Sequence, residues 1–156
     1  MRQVNFWIVG MLFFSIAVPP IIHAQSNETL DVLLAEESLT AGSAAYILLT
    51  AVQEISDETS REDALAALKG SEFAYFLAEK NRDSTLNLGE FAFLAQQVFE
   101  LPGGLMSGIF PGPRYALRDL QFLKIVRGRA YPKMELSGER AGRIIGRILA
   151  EKEARS

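Results

Sequence analysis

Three helix starts in this chain are written in one grammar, and that repetition restricts the fold more than any other feature. They are "LTAGSAAYILL" from Leu39, "LNLGEFAFLAQ" from Leu86 and "LSGERAGRIIG" from Leu136. Each places a Leu before Thr40, Asn87 or Ser137, residue types whose side chains cap a helix N-terminus. Each then carries an apolar residue at the fourth helical position (Ala44, Phe91, Ala141), on which the Leu packs as a hydrophobic staple. Glu90 and Glu139 are expected to complete capping boxes, with Ser43 in that place in the first copy. The starts lie 47 and 50 residues apart, a period found in stacked helical arrays. An apolar helical stretch and a loop precede each. The expectation is an all-α, single domain of about three degenerate helix–loop–helix units.

The segments between these starts read as helices too. Thr29 to Glu36 is a short apolar turn. The Ala41–Gln53 stretch is apolar nearly all round, as a central buried helix would be. Ser60 opens a helix with an acidic first turn, and Gly70 ends it. Ser71 is expected to cap the next, which carries Phe73, Phe76 and Leu77. Leu88 to Glu100 has inward positions Phe91, Leu94, Ala95, Val98 and Phe99 at helical spacing, and Pro102 stops it. Pro113 begins a helix to about Val126, with Leu117, Leu120, Phe122, Leu123 and Val126 inward. The last runs from Gly138 to about Lys152 on Ala141, Ile144, Ile145, Ile148 and Leu149.

The N-terminus has the layout of a secretory leader. A basic Arg2 precedes the apolar run Phe6–Val18, Pro19 and Pro20 break it, and Ala24 offers a small residue for cleavage. The expected division is a signal peptide at 1–24 and a helical domain at 25–156, exported and periplasmic or extracellular. The single His is His23 and there is no Cys. The domain after Ala24 therefore lacks both, which excludes Ser-His-Asp and Cys-His catalysis and the usual zinc sites. Charge is divided unevenly. Residues 25–113 hold four Lys/Arg against fourteen Asp/Glu, and residues 114–156 hold eleven against five. Either the two parts neutralise one another within the fold, or the basic part meets an anionic partner.

The helix starts resemble those of S-layer-homology repeats, whose units end in a loop and a capped helix with a Thr-Arg-Ala-Glu signature. "LSGERA" at Leu136–Ala141 is the nearest match, followed by "LNLGEFA". The signature Arg is Ala41, Leu88 and Gly138 here. The resemblance implies the helical architecture; in that family the motif contributes to binding cell-wall polymers. The segments "GGLMSGIFPGPRYALRDLQFL" and "GRAYP…LSGER" also resemble those of small exported proteins of spirochaetes, a likeness that supplies no activity.

Three stretches carry candidate sites. In "EKNRDSTLNLGEF", counting Glu79 as position 1, side-chain oxygens fall at Glu79, Asn81, Asp83, Thr85, Asn87 and Glu90, the EF-hand rhythm. Ca²⁺ is the one cofactor this pattern would take; position 6 is Ser84 where Gly is expected. A capped helix–helix loop explains the same residues without calcium. The second stretch is basic: Arg127, Arg129 and Lys133, with Arg140, Arg143 and Arg147 along the last helix, form either a solvated face or a partner-binding patch. The third is "LPGGLMSGIFPGP", whose Leu105, Met106, Ile109 and Phe110 belong either to a short helix or lid folded onto the core or to an exposed partner-binding or membrane-touching loop.

The functional expectation is a non-catalytic structural or binding module of the bacterial cell envelope or periplasm. Its partner would be an envelope protein or an anionic cell-wall or lipid surface, with no nucleic acid and no small-molecule substrate. A calcium-binding EF-hand-like module is the second reading. A small carboxylate-dependent glycan hydrolase, for which only Glu79 and Glu90 form a candidate pair, is the third.

Overall fold

The computed structural model describes residues 29–155, so the leader expected at 1–24 lies outside the described residues. The elements are α1 (residues 29–34), α2 (Ala41–Ala51), α3 (Arg61–Lys69), a 3-10 helix (Glu72–Leu77), α4 (Leu88–Val98), α5 (Leu105–Ile109), α6 (Pro113–Phe122) and α7 (Gly138–Glu153). Among the described residues there is no strand beyond two isolated bridges, Thr40 with Thr85 and Asn87 with Glu135. The fold is all-α, and those bridges mark how it closes.

Each unit is an outer helix, a loop and an inner capped helix. The pairs are α1 with α2, the α3 and 3-10 segment with α4, and α6 with α7. The first four N–H groups of a helix have no partner inside it. Here the inner helix of each unit finds acceptors in the loop of the next. In α2, Ala41 N–H donates to Ser84 O at 2.7 Å and Gly42 N–H to Arg82 O at 2.9 Å. In α4, Leu88 N–H donates to Met134 O and Gly89 N–H to Pro132 O, both at 2.8 Å. In α7, Gly138 N–H donates to Glu36 O at 2.8 Å, which returns to the first unit and closes the ring. At the centre, Leu39 N–H donates to Leu136 O at 2.6 Å and Leu86 N–H donates to Leu39 O at 2.9 Å.

Side chains follow the same circuit. Leu39, Leu86 and Leu136 are all buried, as is Leu33. Inner helices pack on the outer helix of the following unit, α2 on α3 and α4 on α6. The third pairing brings the first helix against the last: α1 lies so close to α7 that a Cβ on Gly138 would run into the Leu33 carbonyl. Only Gly permits that approach. α2 is buried from Ala41 through Leu49 and also touches α4 and α7, as its all-round apolar sequence requires. Phe91, Leu94 and Phe99 complete the core from α4.

The caps vary within the shared scheme. Asn87 and Glu90 make the full box, with Asn87 Oδ1 accepting from Glu90 N–H at 2.9 Å and Glu90 Oε2 from Asn87 N–H at 3.0 Å. Ser43 has no carboxylate of its own. Its hydroxyl donates to Glu36, and Glu36 accepts from Thr40 N–H at 3.3 Å, so a residue from before the helix fills the Glu role. Arg61 also donates to Glu36, at 2.9 Å. Glu139 is not a box residue: it stands one position early, and Arg140 N–H takes the Ser137 cap. Glu139 instead pairs with Arg143 one turn on, at 3.2 Å.

Three further expectations are corrected. Ser71 makes no side-chain cap bond, and the segment it opens is 3-10, two short turns joined by a kink at Ala74. α6 ends at Phe122, which is 86% exposed and faces away from the core. The chain turns there through Lys124 at positive φ, and it is Ile125 and Val126 that re-enter the core. Leu149 also lies partly in solvent, at the edge of an apolar groove of about 510 Å³ between α1, α2 and α7.

Candidate interaction surface

The sequence from Leu101 to Pro113 has no charged side chain and is dense in Gly and Pro. It forms α5, five residues long, none of them buried. Leu105 is 79% exposed, Phe110 61%, Ile109 57% and Met106 50%. A short helix is present, as expected, but it is not folded onto the core. It stands out from the protein as an apolar prong between α4 and α6.

A polar cluster holds the prong at its base. Asp119 Oδ2 on α6 accepts from Gln96 Nε2 on α4 at 3.1 Å, from Gly104 N–H at 3.0 Å and from the Ser107 hydroxyl. Among the described residues Gln96 and Ser43 are the two polar residues inside the otherwise apolar set of buried side chains. A Cβ on Gly104 would press against the Asp119 carboxylate, so the missing side chain is what lets the backbone reach it. Burial pushes the Asp119 carboxyl up. Bonds from Ser107, Gly104 and Gln96, with the charge of Arg118, outweigh that and hold it below the usual carboxylate range. Asp119 is thus ionised at neutral pH and ties α4, α5 and α6 at one point.

Beside the prong, α6 presents Arg114, Arg118 and Phe122, spaced by one turn and all exposed. Neither Arg is in an ion pair with a carboxylate among the described residues. Helical spacing places Phe122 inward and gives no sign of Arg114, Arg118 or the Gln96–Asp119 pair. Asp119 left one trace: it is the single acidic residue between Arg114 and Lys133.

The six basic candidates divide among several places. Arg140 donates to the Arg129 carbonyl at 2.8 Å and to Met134 Sδ at 3.2 Å. Burial, then Arg143 and Arg147, push its guanidinium pKa down. Arg147 donates to Ile125 O at 3.0 Å, and Arg127 to Lys124 O at 3.0 Å. These three fasten the long α6–α7 loop to its own backbone and to α7. Arg129 lies 5.9 Å from the Tyr131 ring centroid, and Arg143 faces Glu139 at the apolar groove. Lys133 lines a polar cleft of about 260 Å³ with Lys80, Asn87, Glu90 and Glu135.

The calcium-like loop is occupied by its own chemistry. Asn81 Oδ1 accepts from Asp83 N–H and from Ser84, and Asp83 pairs with Arg82 at 3.0 Å. Arg82 holds the Asp83 carboxyl below its ordinary value. Asn87 and Glu90 are spent on the cap. The Lys80 ammonium contacts Thr85 O at 3.1 Å and Glu90 Oε1 at 3.4 Å. Those are the carbonyl of loop position 7 and the carboxylate of position 12, two groups an EF-hand gives to its ion. Lys80 supplies the positive charge there. Glu79 is exposed and Thr85 contributes its backbone to Lys80. Among the described residues no cluster of three or more carboxylates or imidazoles gathers at one point.

Compared with protein-family models, with curated proteins and with solved structures, the chain matched none. Among the described residues no helix is long and apolar enough to cross a membrane.

Proposed function

We propose that this chain is a non-catalytic binding module of the bacterial cell envelope, exported by its leader, and that it docks through the α5 prong and the adjoining α6 face. The observation that carries this reading is the held prong. Leu105, Met106, Ile109 and Phe110 are kept in solvent by a built polar cluster at Gln96, Gly104, Ser107 and Asp119. Leaving such side chains exposed forgoes about 1.5–3 kcal/mol each relative to burial. Contiguous exposed apolar surface of this kind marks interaction sites. The ring of three units is the mount, and the likeness to S-layer-homology repeats is part of this proposal.

The test uses an isolated envelope fraction. The wild-type chain and a Leu105→Ser/Ile109→Ser/Phe110→Ser variant carry the same N-terminus, so sedimentation with the fraction reads the prong alone. The variant is expected to melt like the wild type, since its changes are on the surface, and to lose most of its co-sedimentation. Equal co-sedimentation of the two chains removes the reading.

A further inference from the structure

The geometry points to an anionic lipid bilayer as the partner: α5 inserts its apolar side chains into the headgroup–acyl boundary while Arg114 and Arg118 engage lipid phosphates. This deepens the binding reading above and rests on it.

Four observations favour hydrocarbon over a protein groove. First, Leu105, Met106, Ile109 and Phe110 fan over about 140° around a helix of a turn and a half. A helix that fills a protein groove presents anchors over at least two turns, at i, i+3, i+4 and i+7; α5 has five residues. A convex fan suits a partner with no shape of its own. Second, thirteen consecutive residues, Leu101 to Pro113, bring no charge into the boundary, where a charged side chain is costly. Protein interfaces place polar and charged groups around an apolar centre, and before Arg114 the prong offers no charge and one side-chain hydroxyl, Ser107, which is turned into its base.

Third, backbone polar groups entering hydrocarbon must be paired within the protein. Gly108 N–H donates to Gly104 O at 3.1 Å and Phe110 N–H to Met106 O at 2.8 Å, while Gly104 N–H is held by Asp119. Three of the prong's backbone donors are thus paired within the protein. Fourth, the exposed charges that α6 places beside it are of one sign. Arg114 and Arg118 lie on the helix to which α5 is tied, and the one carboxylate there, Asp119, is turned into the base of the prong. Apolar side chains with adjacent basic residues are what interfacial membrane binding requires, and its strength rises with buried apolar area and with anionic lipid content. Phe122, the next exposed residue on the Arg114–Arg118 stripe, extends the apolar contact.

The experiment places an indole on the prong. In a Trp7→Phe background, where the natural chain's one Trp is removed, Phe110→Trp becomes the only indole. Vesicles of phosphatidylglycerol mixed with phosphatidylethanolamine are compared with vesicles of phosphatidylcholine alone, each also prepared with brominated acyl chains. The expected result is a blue shift and bromine quenching on the anionic vesicles. Adding Arg114→Glu and Arg118→Glu should weaken that signal by about tenfold or more in lipid concentration. A second chain carries Tyr75→Trp on the 3-10 helix instead, a position exposed on another unit. It should show neither shift nor quenching.

Equal quenching at both positions means tethering by the N-terminal apolar run, and it overturns the proposal. So does an unshifted Phe110→Trp, or quenching indifferent to the two arginines and to lipid charge. The lipid proposal can fail alone. If the envelope fraction binds the chain through the prong but protein-free vesicles of its extracted lipids do not, the module reading stands and its partner is not lipid. If neither binds, both fall.

Discussion

Leu86 and Leu105 each stand at the start of a helix in the same protein, yet one is 3% exposed and the other 79%. Their difference is not in apolarity. Leu86 belongs to a backbone circuit: its N–H donates to Leu39 O, and the loops around it accept from the N-termini of neighbouring inner helices. Leu105 belongs to a segment tied to Asp119 through Gly104 N–H and bonded within itself from Gly108 to Gly104 and from Phe110 to Met106. Where backbone donors are shared between units, the side chains between them are enclosed. Where the segment bonds to itself and to one side chain, the apolar side chains are free to project. The hub obeys the rule that buried polar backbone must be paired, and the prong, with no buried residue, is not bound by it.

Substitutions can break this contrast, and the largest effect is expected at the ring closure. Gly138→Ala would drive a Cβ into the Leu33 carbonyl, for a loss of about 3 kcal/mol or more. Gly146, further along α7, has none of the described residues within reach of an added Cβ, so Gly146→Ala should instead raise stability, by up to about 1 kcal/mol. Denaturant melts of the two variants should move in opposite directions; a shared direction would mean α1 does not close the ring on α7.

The hub staple comes next. Leu86→Ala should cost about 3 kcal/mol, whereas Leu105→Ala should stay within about 0.5 kcal/mol. Similar melting temperatures for both would erase the distinction between hub and prong. At the base of the prong, Asp119→Ala removes three accepted bonds and strands Gln96; about 2 kcal/mol is expected, felt at α5 first.

Acid tests the same point with the wild-type chain. A carboxyl whose folded pKa is depressed contributes stability that is full above its unfolded value, near 4, and is lost as pH falls through the lower folded value. The Gly104 and Ser107 amide resonances should therefore be steady from neutral pH to about 4 and shift below it, ahead of Leu39 and Leu86. A titration of Gly104 centred above the usual Asp range would contradict the geometry.

The smallest effect belongs to the calcium-like loop. Lys80→Gln should cost under about 1 kcal/mol, the range of a partly exposed ion pair. With the ammonium in place, Ca²⁺ at about millimolar, the weak end of known protein sites, should leave the melting temperature unchanged. A rise in melting temperature would show that the ion displaces Lys80.

Much of the hub could be read from the chain. Thr40, Asn87 and Ser137 cap the helices they were expected to cap, and the staple residues are buried. Caps and staples are legible because donor and acceptor lie within four residues of one another. Glu139 stands a single position short of the box, which at a helix N-terminus exchanges a cap partner for an ion pair with Arg143. The prong was half legible. Its apolar residues and its helix could be named, but whether they met the core depended on Asp119, fifteen residues beyond Gly104. The basic residues were legible as charge and not as geometry, because Arg140 and Arg147 are committed to loop carbonyls that no spacing along α7 reveals.

By itself, then, the sequence determined the helical class, the three capped starts, the lack of His and Cys after Ala24 and the oxygen-rich loop at 79–90, all properties of composition or of neighbours along the chain. Only the tertiary structure decided that the units close head to tail, that Lys80 occupies the cation position of that loop, and that the apolar residues at 105–110 face water. Each of those rests on a bond between groups set apart by a loop or by a whole unit. Such bonds form only when the rest of the chain has already fixed the distance between their ends.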